Sequence, residues 1–140
     1  MSNAKTAEIV WSGKELQFSG TLGSGYTFDL NSNASKVGGS PMEFLLAGVA
    51  GCTAMDVISI LQKMRQKVHE FSVEISGVRA EEHPKVYTEV EITYVVRGES
   101  INPDNVARAI ELSKTIYCSA SQMFQRAGTK LHTNYRIEEV

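Results

Sequence analysis

Residues 40–61 read SPMEFLLAGVAGCTAMDVISIL. Ser40 can cap a helix N-terminus, Pro41 suits the first helical position, and Glu43 can reach back to the Ser40 backbone to complete a capping box. The apolar run behind this start predicts a helix over residues 41–66. Phe44, Leu45, Val49, Met55, Ile58 and Leu61 place apolar groups on nearly every side of it, and such a helix needs cover all round. Small residues, Ala47, Gly48, Ala50, Gly51 and Ala54, flank Cys52. Glycine costs a helix interior about 1 kcal/mol against alanine, so Gly48 and Gly51 point to close approach by another backbone. Residues 44–61 are also just long enough to cross a bilayer. Asp56 and Thr53 inside the run weigh against that, because an acid in lipid is costly. A partner subunit is the other source of cover, so a homodimer with this helix near its interface is expected.

On the N-terminal side, AEIVWSGKELQFSGTLGSGYTFDL alternates short β-prone runs with Gly and Ser, which reads as two or three strands joined by tight turns. The polar connector NSNASKVGGS, residues 31–40, leads into the helix. On the C-terminal side, FSVEISGVR (71–79) and VYTEVEITYVVR (86–97) alternate strictly, with Phe71, Val73 and Ile75 on one face of the first and Val90, Ile92, Tyr94 and Val96 on one face of the second. The polar AEEHPK between them predicts an antiparallel hairpin over 70–98. Asn102-Pro103-Asp104 repeats the cap, proline and acid signature and opens a second helix over 103–127. Ser119-x-x-Gln122 is a further, weaker capping box, so this helix can break at Cys118 and restart. KLHTNYRIEE (130–139) closes the chain, with a last strand expected over residues 130–138. The order predicts an α+β domain, a mostly antiparallel sheet packed against two central helices.

The totals bound the function. With 140 residues, 42% of them hydrophobic and 21% charged, the chain has the size and composition of one globular domain, residues 1–140. A formal net charge of −2 with scattered Lys and Arg leaves no footprint for nucleic acid. No basic and apolar leader is seen, so a cytoplasmic protein without a membrane anchor is expected.

Cys52 and Cys118 are the two cysteines. Neither sits in a Cys-x-x-Cys pair, and His69, His83 and His132 are isolated from them and from each other, so no metal is assigned. Buried cysteine often acts only as a small hydrophobe. In a reducing compartment the alternatives are inert thiols, ligands or redox chemistry. A thiol at the start of a restarted helix would have its pKa lowered by the helix dipole, which singles out Cys118 as the more acidic of the two. Cys52 would need a basic neighbour; Lys14, Arg79, Arg97, Lys114 and Arg126 are the candidates, and Lys114 stands one turn before Cys118.

The combination of the GG-x-PMEFLL helix entry, Cys52 about three turns into that helix, HPKVYTEVEITYVV, and YCSASQ far downstream resembles the OsmC/Ohr superfamily, most closely its less-characterised OsmC-like branch. The resemblance implies an intertwined dimer and a thiol peroxidase that reduces organic hydroperoxides. Cys52 would attack the peroxide and become a sulfenic acid, and Cys118 would condense with it to a disulfide. A dithiol reductant, possibly of the lipoyl type, would reset the pair, with no bound cofactor. Characterised members carry a Glu directly after the helix-opening Pro and an Arg from an early strand. Here the first position is Met42, with Glu43 one residue later, and residues 5–30 contain no Arg. That departure keeps open an alternative of another class: a non-catalytic dimer of the same fold that binds a small ligand or senses redox state.

Overall fold

The computed structural model describes residues 4–32 and 38–140, so residues 33–37 of the polar connector lie outside the described residues. The chain forms two compact units, Met1–Leu45 and Leu46–Val140, and the boundary falls inside the first helix.

In the first unit, β1 (Ala7–Trp11), β2 (Gln17–Leu22) and β3 (Thr27–Asn31) form an antiparallel meander in that order. Gly25, at φ 98°, supplies the left-handed turn between β2 and β3. Gly20 pairs with Phe28 across the sheet, and a Cβ on Gly20 would collide with the Phe28 ring. That ring instead lies over the glycine and meets Phe44 at 5.3 Å between centroids. Helix α1 (Pro41–Lys63) opens as the sequence indicates. Glu43 Oε1 accepts from both the Ser40 N–H and the Ser40 hydroxyl at 2.9 Å, and the Glu43 N–H donates back to Ser40 Oγ at 3.4 Å.

The C-terminal end of α1 comes three residues before the expected Gln66. A Schellman motif ends it: Gln66 N–H bonds the Leu61 carbonyl and Arg65 N–H bonds the Gln62 carbonyl, both at 3.0 Å. Arg65 takes the left-handed position, φ 60°, that glycine usually fills, so no glycine marked the stop.

In the second unit, β4 (Lys67–Arg79) and β5 (Tyr87–Glu99) make the expected hairpin, and β6 (Lys130–Glu139) adds to the other side of β5. Register puts Val90, Ile92, Tyr94 and Val96 of β5 on one face with Ile75, Val73 and Phe71 of β4 and with Leu131, Thr133 and Ile137 of β6. The four β5 residues are the buried centre of that face. Gly98 continues it because a Cβ there would strike the Lys67 carbonyl.

The fold is α+β with mostly antiparallel pairing, as expected, and two features add to that expectation. The strands form two three-stranded sheets, and β6 runs parallel to β5 while the other pairings are antiparallel. Parallel neighbours need a crossover, and the helical segment between β5 and β6 provides it. That segment is α2 (Pro103–Leu112), a π-helical turn (Ser113–Tyr117), and α3 (Ser119–Arg126). Asn102 caps α2 by accepting from the Asp104 N–H at 2.9 Å. The break at Cys118 is present as the sequence suggested, with Cys118 in extended backbone, φ −81° and ψ 99°.

Helix α1 is buried along one stripe, Val49, Thr53, Val57 and Leu61, rather than all round. Met55 is 73% exposed. Gly48 and Gly51, expected to admit another backbone, face open space within this chain: a Cβ on either would meet nothing within 4 Å. By length and composition α1 could cross a membrane, with mean hydropathy 2.0 over 18 residues. Two polar side chains within it, Thr53 and Asp56, hydrogen-bond to groups of the protein.

Candidate active site

Helical spacing places Cys52 and Asp56 one turn apart on the same face of α1. Thr53, beside Cys52, belongs to the buried stripe, and it meets Tyr94 from β5 and Ser113 from the π-helical turn. The distances are 2.8 Å from Thr53 Oγ1 to the Tyr94 hydroxyl and 2.7 Å to Ser113 Oγ. Ser113 Oγ donates to Asp56 Oδ2 at 3.0 Å. Each hydroxyl has one proton to give. Since the Ser113 proton goes to the carboxylate, Thr53 must donate to Ser113 and Tyr94 must donate to Thr53. The row therefore runs Tyr94, Thr53, Ser113, Asp56, with every donor pointing toward the acid. Burial pushes the Tyr94 phenol up from its ordinary value, against the lowering effect of the Thr53 hydrogen bond, which keeps it protonated as the first donor.

Cys118 reaches the same place from the other side. Its N–H bonds the Ser113 carbonyl at 2.8 Å, so Ser113 fixes both the Asp56 carboxylate and the Cys118 backbone. The Cys118 sulfur, rather than Ser119, caps α3 by accepting from the Ser121 N–H at 3.4 Å, while Ser121 Oγ donates to the Cys118 carbonyl at 3.2 Å. The result is that Cys52 Sγ, Cys118 Sγ and an Asp56 carboxylate oxygen all lie within 4.8 Å of one another. Both thiols are free, Cys52 half-buried and Cys118 with none of its surface exposed.

The expected acidity of Cys118 is corrected by its environment. Burial pushes this thiol above its ordinary value, outweighing the lowering effect of the Ser121 hydrogen bonds, and the adjacent Cys52 raises it further. Desolvation of a thiolate wins because an 8-residue helix offers only a partial charge, while the sulfur has no contact with solvent.

The basic candidates are mostly engaged elsewhere. Lys114 Nζ donates to the Leu131 carbonyl at 3.2 Å, Arg79 Nε to the Lys85 carbonyl at 2.8 Å, and Arg97 pairs with Glu70 and Glu138. Arg126 ends α3, and Lys14 lies in the first unit. In that unit Glu43 is held by Ser40, whose N–H lowers its carboxyl pKa. His69 and His132, both exposed, pair with Glu99 and Glu89.

Sequence reasoning named the two cysteines and missed their polar surroundings. Asp56 had a readable signal, one turn after Cys52. Tyr94 had a weaker one, its buried parity on β5. Nothing in the sequence marks Ser113, whose role depends on a π-helical turn that brings its side chain to α1.

Comparison with known proteins identifies the family and the fold. The OsmC-like protein family model matches residues 32–134. The protein YhfA of Escherichia coli K12 is 36% identical over 127 residues, covering 91% of this chain and 94% of the relative. A crystal structure of a hypothetical protein from Aquifex aeolicus superposes with a TM-score of 0.87 at 31% identity, covering 99% of this chain and 98% of that one. The organic hydroperoxide resistance protein OhrB of Bacillus subtilis shares the fold at 15% identity and a TM-score of 0.64, covering 97% of this chain and 100% of its own. With the family model spanning most of the sequence and a relative aligned over nine-tenths of it, the chain belongs to the OsmC-like protein family.

Proposed function

We propose that the protein is a thiol peroxidase that reduces organic hydroperoxides with Cys52 and resolves the product with Cys118. The observation that carries the reading is the pairing of two free thiols from separate elements, one half-buried and one fully buried, within 4.8 Å of each other. The burial difference supports this division of roles. Cys52 is the thiol a peroxide can reach, and Cys118, held protonated by burial, waits beside it.

In the first step the Cys52 thiolate attacks the terminal peroxide oxygen; the O–O bond breaks, Cys52 becomes a sulfenic acid, and an alkoxide leaves. Asp56, aimed by Ser113, accepts the Cys52 proton through a bridging water and returns it to the alkoxide, which departs as an alcohol. In the second step Cys118 attacks the Cys52 sulfur, a disulfide forms, and water leaves. The sulfurs must close to about 2.05 Å for this. For this the Cys118 sulfur must give up the Ser121 N–H that it caps at the break before α3. A dithiol, for which a lipoyl group is one candidate, then reduces the disulfide by exchange. Relatives of the same fold include proteins described as organic hydroperoxide resistance proteins.

A homodimer in the cytoplasm is part of the proposal. Met55 on α1, Ile116 and Tyr117 in the π-helical turn, and Met123 on α3 are large apolar side chains exposed on the three elements that carry the site. The open space beside Gly48 and Gly51 offers a second copy close access to α1.

A second reading, stoichiometric redox sensing, is favoured by Met42 at the position of the family's Glu and by the engagement of Arg79, Arg97 and Lys114 away from the sulfurs. Dithiothreitol-dependent consumption of cumene hydroperoxide separates the two. The peroxidase reading expects multiple turnover that stops in Cys52→Ser and falls in Cys118→Ser. One equivalent consumed slowly supports sensing, and wild-type rates equal to those of the double mutant end the peroxidase reading.

A further inference from the structure

We propose that the reduced Cys52/Cys118 pair and Asp56 form a binding site for one thiophilic divalent cation of the zinc class. The inference goes beyond the peroxidase reading and does not depend on it, because the ion binds the resting thiols without any peroxide.

The donor set comes from two directions. Cys52 and Asp56 leave α1 one turn apart on one face, the spacing by which helices commonly present two ligands to a metal. Cys118 closes the third side from the break before α3. The three ligand atoms already lie within 4.8 Å of one another. Zinc takes thiolate sulfur at about 2.3 Å and carboxylate oxygen at about 2.0–2.2 Å, so a tetrahedral site has ligand–ligand edges of roughly 3.5–3.8 Å. The three atoms must draw together from within 4.8 Å to reach those separations.

The surrounding hydrogen bonds have the form that supports a metal. Ligating carboxylates are held by outer groups, and here the Ser113 hydroxyl holds Asp56 at 3.0 Å and is itself held by buried Thr53. The Ser113 carbonyl also fixes the Cys118 backbone, so one residue sets the spacing between a ligand on α1 and a ligand on the opposite element. Three protein ligands leave a fourth position for water, the pattern of open zinc sites. The ligand chemistry selects the ion. Two sulfurs and one oxygen suit zinc, cadmium or cobalt, whereas calcium takes six to eight oxygens and magnesium prefers an oxygen octahedron.

Binding is balanced by proton release: the cation replaces the protons of two thiols, and three negative ligands with a doubly positive ion leave a net charge of −1. Two consequences follow. The disulfide form has no site, because its sulfurs are no longer thiolates. An ion in the site also draws electron density from the Cys52 sulfur that would attack a peroxide, so metal binding slows thiol oxidation, and oxidation to the disulfide releases the ion.

The test uses the full chain, reduced and freed of reductant and metal under anaerobic conditions, titrated with Co²⁺ as the probe. Expected are thiolate-to-cobalt charge-transfer absorption in the near ultraviolet and tetrahedral d–d bands in the visible, saturating at about one Co²⁺ per chain and displaced by Zn²⁺. Asp56→Asn should bind at least about tenfold more weakly. Wild-type protein oxidised with diamide should show no bands, a control that needs no variant to fold. Absence of thiolate–cobalt bands in the reduced wild type overturns the proposal. So does their persistence in Cys52→Ser/Cys118→Ser, or unchanged affinity in Asp56→Asn with native circular dichroism. Since no peroxide is used, loss of this site leaves the peroxidase reading standing, and an inactive peroxidase that still binds cobalt leaves this one standing.

Discussion

Replacing Thr53 with valine removes the middle of the hydroxyl row while keeping its volume, so no cavity complicates the outcome. Two hydrogen bonds disappear, at 2.8 Å to Tyr94 and 2.7 Å to Ser113. Ser113 still donates to Asp56, but the Tyr94 hydroxyl, on a side chain 1% exposed, is left with a proton and nowhere to place it. Among the described residues, no buried side-chain polar atom lacks a partner in the wild type, so this would be a new defect. A buried donor without a partner costs about 1–3 kcal/mol, and the lost bond to Ser113 adds about 1 kcal/mol, so Thr53→Val should lower stability by about 2–4 kcal/mol. Tyr94→Phe alone removes the first donor and leaves only an under-used oxygen on Thr53, a loss of about 1 kcal/mol. The double variant carries the sharper expectation. With the Thr53 hydroxyl gone, removing the Tyr94 hydroxyl removes the orphan too, so Tyr94→Phe should stabilise the Thr53→Val background. Urea denaturation under reducing conditions at one fixed protein concentration measures all four corners of the cycle, the concentration being held because self-association would shift apparent stability. If Tyr94→Phe destabilises the valine variant further, the donor order assigned to the row is wrong.

Alkaline pH should act through the same unit. Burial raises Cys118 in the folded state, so its thiol stays protonated where the unfolded chain has already lost the proton; stability is intact below the ordinary thiol value of 9.0 and falls as pH rises from there through the raised folded value. Cys118→Ala should flatten that alkaline limb, and in the wild type iodoacetamide should label Cys52 well before Cys118, as read by peptide mass mapping. Gly98→Ala should cost about 3 kcal/mol in denaturant unfolding, because its Cβ would strike the Lys67 backbone carbonyl rather than a movable side chain. Glu43→Gln keeps an oxygen for Ser40, so hydroperoxide consumption should stay at the wild-type rate if Glu43 only caps the helix, and a tenfold drop in kcat/KM would assign it a catalytic part. The same variant should lose less stability below pH 4.5, since the Ser40 bonds lower the Glu43 carboxyl and that contribution vanishes as the acid protonates.

Local rules were enough for much of this chain. Ser40-Pro41-x-Glu43 and Asn102-Pro103-Asp104 each specify a helix start through atoms within three residues, and both starts fall where those residues require. The period-two pattern of β4 and β5 set their paired face for the same reason: side-chain alternation is a property of the extended backbone itself. The end of α1 was less legible because Arg65 fills a position that usually advertises itself as glycine.

The site divides along the same line. Two thiols and the family pattern were visible as residue types at given positions. Whether the thiols meet, which one water reaches, and what holds them depend on contacts across the fold, and those contacts reversed one inference outright. A helix start next to Cys118 argues for an acidic thiol as long as only neighbours along the chain are counted. Burial raises it instead, because the desolvation of a charge is set by everything packed around the sulfur, from α1 and the π-helical turn as much as from its own helix. Asp56 followed the opposite course: read along α1 it was an anomaly in an apolar run, and packing against Ser113 made it a member of the site. Short-range preferences are written residue by residue, whereas solvent access and the meeting of side chains distant in sequence exist only once the chain has closed on itself.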